Sequence, residues 1–164
     1  MRFAVPVIGA LLAVGAATMT GTTATGQEEA DPAVTAAVKA RQAHMRLSAF
    51  NLGVLGAMAK GEIDYDATAA ENAAKNLNAL AEMEEGAYWI PGSDMETLGQ
   101  DVTETLAARW ENEEKFNEDL QAMRESSATM VEAASAGVDD LRAAMGPLGK
   151  ACSSCHEDFR VKDD

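Results

Sequence analysis

Apolar residues recur along this chain at three- and four-residue spacing, with no lasting alternation of the kind a half-buried strand needs. Four helices follow from that spacing. The first opens at Asp31-Pro32, a capping carboxylate followed by the residue best suited to a first helical position. Its stripe is Val34, Val38, Met45, Leu52 and Leu55, and Lys60-Gly61 ends it. Asp66 caps the second helix, which carries Ala73, Leu77 and Leu80 on one face and ends near Gly86. Pro91-Gly92-Ser93 then makes a longer loop. The third helix is expected to be the longest, from around Asp101 to Ala136, with Leu106, Trp110, Phe116, Leu120, Met123 and Met130 inward and Gly137 breaking it. Asp139 or Asp140 starts the fourth, whose inward residues are Leu141, Met145, Leu148, Cys152, Cys155 and Phe159. Pro147, between Gly146 and Gly149, predicts a local kink or loosened turn rather than two helices. The expected fold is all-α, an antiparallel four-helix bundle running up-down-up-down.

Upstream of the first helix the pattern changes. Arg2 precedes an apolar run from Phe3 to Ala17, and small polar residues continue to Gln27. That is the order of a secretory signal, and it is too short for a comfortable membrane span. Cleavage is expected after Ala24-Thr25-Gly26, so that residues 1–26 are a signal peptide and 27–164 a single domain. An uncleaved anchor is the competing reading. The chain has 164 residues and a formal net charge of −14; Arg2 is the one charged residue in 1–26, so its loss gives −15. Such acidity argues against nucleic acid and against anionic membrane surfaces. It suits a basic redox partner, although acidic surfaces also serve solubility alone.

The chain holds two cysteines, and both lie in Cys152-Ser153-Ser154-Cys155-His156. This arrangement reads as a c-type haem attachment site. Two thiols three residues apart can each add to one vinyl group of a porphyrin, and the adjacent imidazole falls where it can ligate the iron. On a helix the three side chains share one face. A thioredoxin-like redox pair would belong with a βαβ pattern that the sequence lacks. A zinc site would want a second ligand pair, and the other histidine is His44 alone. Covalent attachment of one haem c outside the cytoplasm agrees with export, and cysteines held in thioethers leave no disulfide. The haem is expected against the fourth helix, near one end of the bundle.

An exported four-helix chain with this motif near its end resembles the cytochrome c′ family, including its cytochrome c556 branch. Three stretches carry the likeness: Leu141 to Cys152 continuing through His156-Glu157-Asp158-Phe159-Arg160; the Lys60-Gly61-Glu62 turn with Tyr65-Asp66; and Arg41-Gln42 with Met45. The resemblance implies that His156 is the proximal iron ligand and that the first helix covers the opposite haem face. In the c556 branch a methionine there is the sixth ligand, and its position corresponds to Met45. In cytochromes c′ proper an apolar residue at that place leaves five-coordinate iron.

The same resemblance sets Arg41 and Gln42 near the haem propionates, and Arg160 near the proximal histidine. It also implies a periplasmic location and possible dimers through the first two helices, where Ala67 to Ala73 are small. His44 points about 100° from Met45 and is expected exposed. Trp110 and Phe116 read as core, Lys150 and Glu157 as surface charge. No acid–base pair or substrate pocket stands out, so an enzyme is not expected. The primary expectation is an electron carrier with low-spin iron held by His156 and Met45. The alternative binds nitric oxide or carbon monoxide at five-coordinate iron, with Met45 only crowding the distal side. A bundle that never acquires haem would leave the Cys152–His156 motif unexplained.

Overall fold

Each helix end in the structure, a computed structural model that describes residues 31–162, has a local cause. The signal-peptide segment 1–26 lies outside the described residues. Helix α1 (Pro32–Lys60) begins where the Asp31 carboxylate accepts the Ala33 N–H at 2.8 Å, with proline at its first position. It stops at Gly61, whose φ of 76° is left-handed and open to glycine without strain. The Gly61 and Glu62 N–H groups then close back onto Met58 and Ala57 carbonyls. Helix α2 (Ala67–Ala81) is capped by Asp66, which accepts the Ala69 N–H at 2.7 Å. Tyr65, just before that cap, donates its hydroxyl to the Ala134 carbonyl and ties the turn to the far helix.

The second connection departs from the expected pattern. Helix α2 ends at Ala81 instead of near Gly86, and a 3-10 turn covers Gly86–Tyr88. Two single-turn helices follow, α3 (Met95–Leu98) and α4 (Ala108–Glu111). The third long helix, α5 (Glu113–Ala136), therefore starts twelve residues later than the periodicity suggests, and at 24 residues it is not the longest; α1 has 29. Two features account for this. Residues 104–106 lie extended along the chain end, with Leu106 N–H donating to Phe159 and Val161 N–H donating to Glu104. Asn112 then leaves helical geometry (φ −128°, ψ 64°) and its side chain caps α5 at the Lys115 N–H. Leu106 and Trp110 are spaced like helix residues but belong to this connection.

Helix α6 (Val138–Phe159) starts at Gly137, so Asp139 and Asp140 lie in its first turn rather than capping it. There their charges oppose the helix dipole. The helix runs unbroken through Pro147. Pro147 and Ala143 both lie on the exposed face, where water can satisfy the carbonyl that loses its N–H partner.

The four long helices form an antiparallel four-helix bundle, packed in the order α1, α2, α5, α6 and back to α1. Side-chain contacts give the direction of each pair: Asn76 meets Asn51, Ser127 meets Asn78 while Arg124 reaches Ala81, and Cys152 meets Met123. Among the described residues no helix is long and apolar enough to cross a membrane.

The core is uneven along the bundle. Leu55, Met58, Leu77, Met130, Leu141 and Leu148 form one cluster with Ala70, Ala73 and Ala74, at the end holding the α1–α2 and α5–α6 turns. These α2 alanines are thus used inside the chain's own core. Toward the opposite end the buried set changes to Phe116 and Phe159 with Arg41, His44, Ser93, Asp94, Thr103, Arg109 and Asp119. Leu77 is fully enclosed in the aliphatic half, remote from the cysteines. Leu77→Ala is expected to cost about 2–5 kcal/mol in urea unfolding, with an unchanged m-value; a loss below about 0.5 kcal/mol would contradict this core assignment.

Candidate functional site

Helices α1 and α6 touch toward the aliphatic end, and that contact sets their register. The position of a Gly56 β-carbon would lie 3.6 Å from Met145 Cε, and Arg142 Nε donates to the Ala59 carbonyl at 2.7 Å. The helices run in opposite directions. Eleven residues back from Gly56 is Met45, and eleven on from Met145 is His156. At about 1.5 Å rise per residue, both lie some 16 Å beyond the contact, level with each other along the bundle. The same count sets Arg41 level with Arg160.

On α6 the structure brings Cys152, Cys155 and His156 together at that level. Both thiols are free and half-buried, so neither is consumed by a disulfide. Cys152 Sγ lies 3.8 Å from Met123 Sδ. Burial pushes the Cys155 thiol up to about 12, and the nearby carboxylates of Asp119 and Glu85 push the same way. Cys152 is also raised, again by burial. His156 is exposed on one side, yet partial desolvation and then the Arg160 charge lower its pKa below the usual value. Its neutral form, the one with a lone pair for a metal, is favoured.

Met45 and His44 exchange the surroundings expected of them. Met45 was expected in the inward stripe but is 39% exposed, a large apolar side chain left in solvent. His44 was expected at the surface but is 8% exposed. The 100° offset between neighbours on a helix holds, with His44 inward and Met45 outward, while Val38 and Leu55 of the expected stripe are buried. The cause is the connection from residue 82 to 112, which packs over α1 here. His44 Nε2 lies 3.3 Å from Glu85 Oε1, and its ring meets the edge of Tyr88 at 6.3 Å.

Arg41 is buried and holds that connection down. Its Nη1 donates to the Tyr88 carbonyl and Ser93 Oγ, its Nη2 to the Ser93 carbonyl and Thr103 Oγ1, all at 2.8–3.1 Å. The two terminal nitrogens are committed, which leaves Nε for any further acceptor. Desolvation, then the neighbouring Arg109 charge, lowers its pKa, although a guanidinium remains charged. Gln42 donates to the Val102 carbonyl at 2.9 Å. Arg160 ends α6, lies 3.6 Å from the Glu104 carboxylate and is close enough to affect His156.

Sequence reasoning did not find Glu85, Trp89 or Arg109. Trp89 donates its indole N–H to Glu85, stacks edge-on against Phe116 at 4.9 Å, and receives the Trp110 N–H at its own carbonyl. The Glu84-Glu85 pair reads in sequence as solvated charge, and only the fold of the connection buries one of them. Among the described residues three buried side-chain atoms have no hydrogen-bond partner: His44 Nδ1, Arg109 Nε and Asp119 Oδ2. All belong to the half of the bundle around Cys155. Unbridged thiols, a neutral imidazole and buried polar atoms left without hydrogen-bond partners fit a planar, largely apolar group with polar substituents, as a haem is.

Fold and site together define a c-type cytochrome of the four-helix kind. The family model for cytochrome C′ matches residues 36–160, and the chain belongs to that family. It is 41% identical over 127 residues to a cytochrome c′ of Cereibacter sphaeroides, covering 76% of this chain and 83% of that one. A cytochrome c-556 of Rhodopseudomonas palustris is 35% identical over 117 residues, covering 69% and 74%. Among solved structures, a cytochrome c′ from Rhodobacter sphaeroides superposes with a TM-score of 0.76 at 38% identity, over 79% of this chain and 98% of that one. The family binds a single, covalently attached haem c.

Replacing both thiols (Cys152→Ala with Cys155→Ala) is expected to make the haem extractable into acidified organic solvent, whereas the unmodified protein retains it. Haem that stayed bound to the double variant through this extraction would refute the attachment site.

Proposed function

We propose that this protein is an exported, periplasmic electron carrier whose haem is attached at Cys152 and Cys155 and whose iron is held between His156 and Met45. The observation that carries this reading is the shared level of Met45 and His156 on antiparallel α1 and α6. Identity alone does not choose the branch, since the chain is similar to both a cytochrome c′ and a cytochrome c-556. The exposed Met45 side chain supports the six-coordinate reading. Met45 presents a soft thioether on an exposed face, where a haem-sized apolar surface would cover it. His156 favours its neutral form, ready to bind a metal.

The haem supplies a one-electron couple, and a histidine–methionine pair sets its potential higher than histidine alone. The chain supplies position and surroundings. Met45 is carried on a helix whose far end is locked against α6, so its height relative to His156 does not depend on a loop. Arg41 and Gln42 fasten the connection that walls this end. Arg160, paired with Glu104, keeps a positive charge beside the imidazole and disfavours its protonation. Held by His156 and Met45 on two packed helices, the iron would keep its surroundings on changing charge, which would favour outer-sphere transfer. With a net charge of −15 once residues 1–26 are removed, the surface suits a basic redox partner.

Met45→Ala tests the assignment. The variant is expected to change from low-spin to high-spin, five-coordinate iron and to bind carbon monoxide readily in the reduced form. A variant with the spectrum of the unmodified protein would exclude Met45 as a ligand and favour five-coordinate, gas-binding iron.

A further inference from the structure

Within electrostatic reach of Cys155 lies a buried cation that the proposed iron ligands do not use. Arg109, on the single turn α4, is 9% exposed. Its guanidinium carbon lies 3.6 Å from the centre of the Phe116 ring and 5.2 Å from that of Trp89. Among the described residues it forms no ion pair; Glu113 and Glu85 act on it only from farther away, and so does the Cys155 sulfur. Arg41 lies 4.8 Å from the same Trp89 ring and makes its hydrogen bonds to uncharged acceptors. Two guanidinium groups thus share one indole, inside a chain that is otherwise strongly acidic.

Such an arrangement is costly as it stands. A desolvated guanidinium needs compensation, and aromatic faces provide only part of it. The Nε–H of Arg109 is moreover buried without an acceptor. A haem attached at Cys155 would bring both missing elements, because it carries carboxylates on its rim and its reduced form bears one more negative charge than its oxidised form.

We propose that Arg109 is an electrostatic positioning residue for the haem: its buried charge, fixed against Phe116 and Trp89, acts on the haem attached at Cys155 and raises its reduction potential by favouring the reduced form. One electron arrives from the redox partner, and no proton or bond change accompanies it. The inference rests on haem attachment at Cys152 and Cys155 but not on Met45, since a neighbouring cation acts on the iron whatever its sixth position holds.

The test is a spectroelectrochemical titration of the haem-loaded protein and of Arg109→Leu, Arg109→Gln and Arg109→Lys. At the midpoint of the unmodified protein, the two uncharged variants are expected to show the ratio of oxidised to reduced haem raised about tenfold, a fall of ~59 mV for one electron. Arg109→Lys should recover most of that fall. Two outcomes would overturn the proposal: an unchanged midpoint in the uncharged variants, or a lysine variant that falls as far as they do, which would leave Arg109 a packing role alone. Having glutamine as well as leucine keeps the test decisive if leucine prevents folding. A pyridine haemochrome assay on the unmodified protein checks covalent attachment separately, and the optical spectrum of each variant reports axial ligation. Failure of either underlying reading is therefore distinguishable from failure of this one.

Discussion

The contact between α1 and α6 near Gly56 and Met145 fixes the geometry on which the site depends. Counted from that contact at the helical rise, Met45 and His156 stand at the same level along the bundle. The contact joins the Met145 methyl group to the Gly56 backbone and the Arg142 side chain to the Ala59 carbonyl. Caps at Asp31 and Asp66 and the left-handed Gly61 then define where the α1–α2 turn falls. Register therefore passes from local backbone chemistry to the site without relying on a flexible segment.

The bundle divides its stabilising interactions between its two ends. At the turn end, leucines, methionines and alanines bury one another and give the chain its cooperative core. At the cysteine end Ala37, Val38 and Ala151 are joined by guanidinium groups, carboxylates and aromatic rings held by directional contacts. Arg41 is the principal fastener there, because four hydrogen bonds from one side chain tie residues 88, 93 and 103 to α1. Buried polar groups of this kind gain little over water but cost much when left unpaired.

Much of this was legible in sequence, and the failures share a cause. Helix ends written in local chemistry, such as Asp31-Pro32, Gly61 and Asp66, agree with the structure because they need no knowledge of distant residues. The Cys152–His156 spacing is likewise complete within five positions. What sequence periodicity missed lies in residues 82–112. Leu106 and Trp110 are spaced like helix residues, yet extended pairing with Phe159 and Val161 and the Asn112 cap override that spacing. His44 was misjudged for the same reason: its burial comes from Glu85 and Tyr88, partners some forty residues away in the chain. Arg109 gives no local signal at all, since an arginine beside a tryptophan in sequence is unremarkable until Phe116 and Trp89 close around it.

The central claim is that Met45 and His156 hold the iron together, and one experiment addresses it most directly. It is the absorption spectrum of the purified, haem-loaded protein, oxidised and reduced, before and after carbon monoxide. The account predicts low-spin bands in both states, a weak methionine-to-ferric-iron band toward the red, and slow or absent carbon monoxide binding. High-spin bands with immediate carbon monoxide binding would contradict it and reduce Met45 to a steric neighbour of five-coordinate iron.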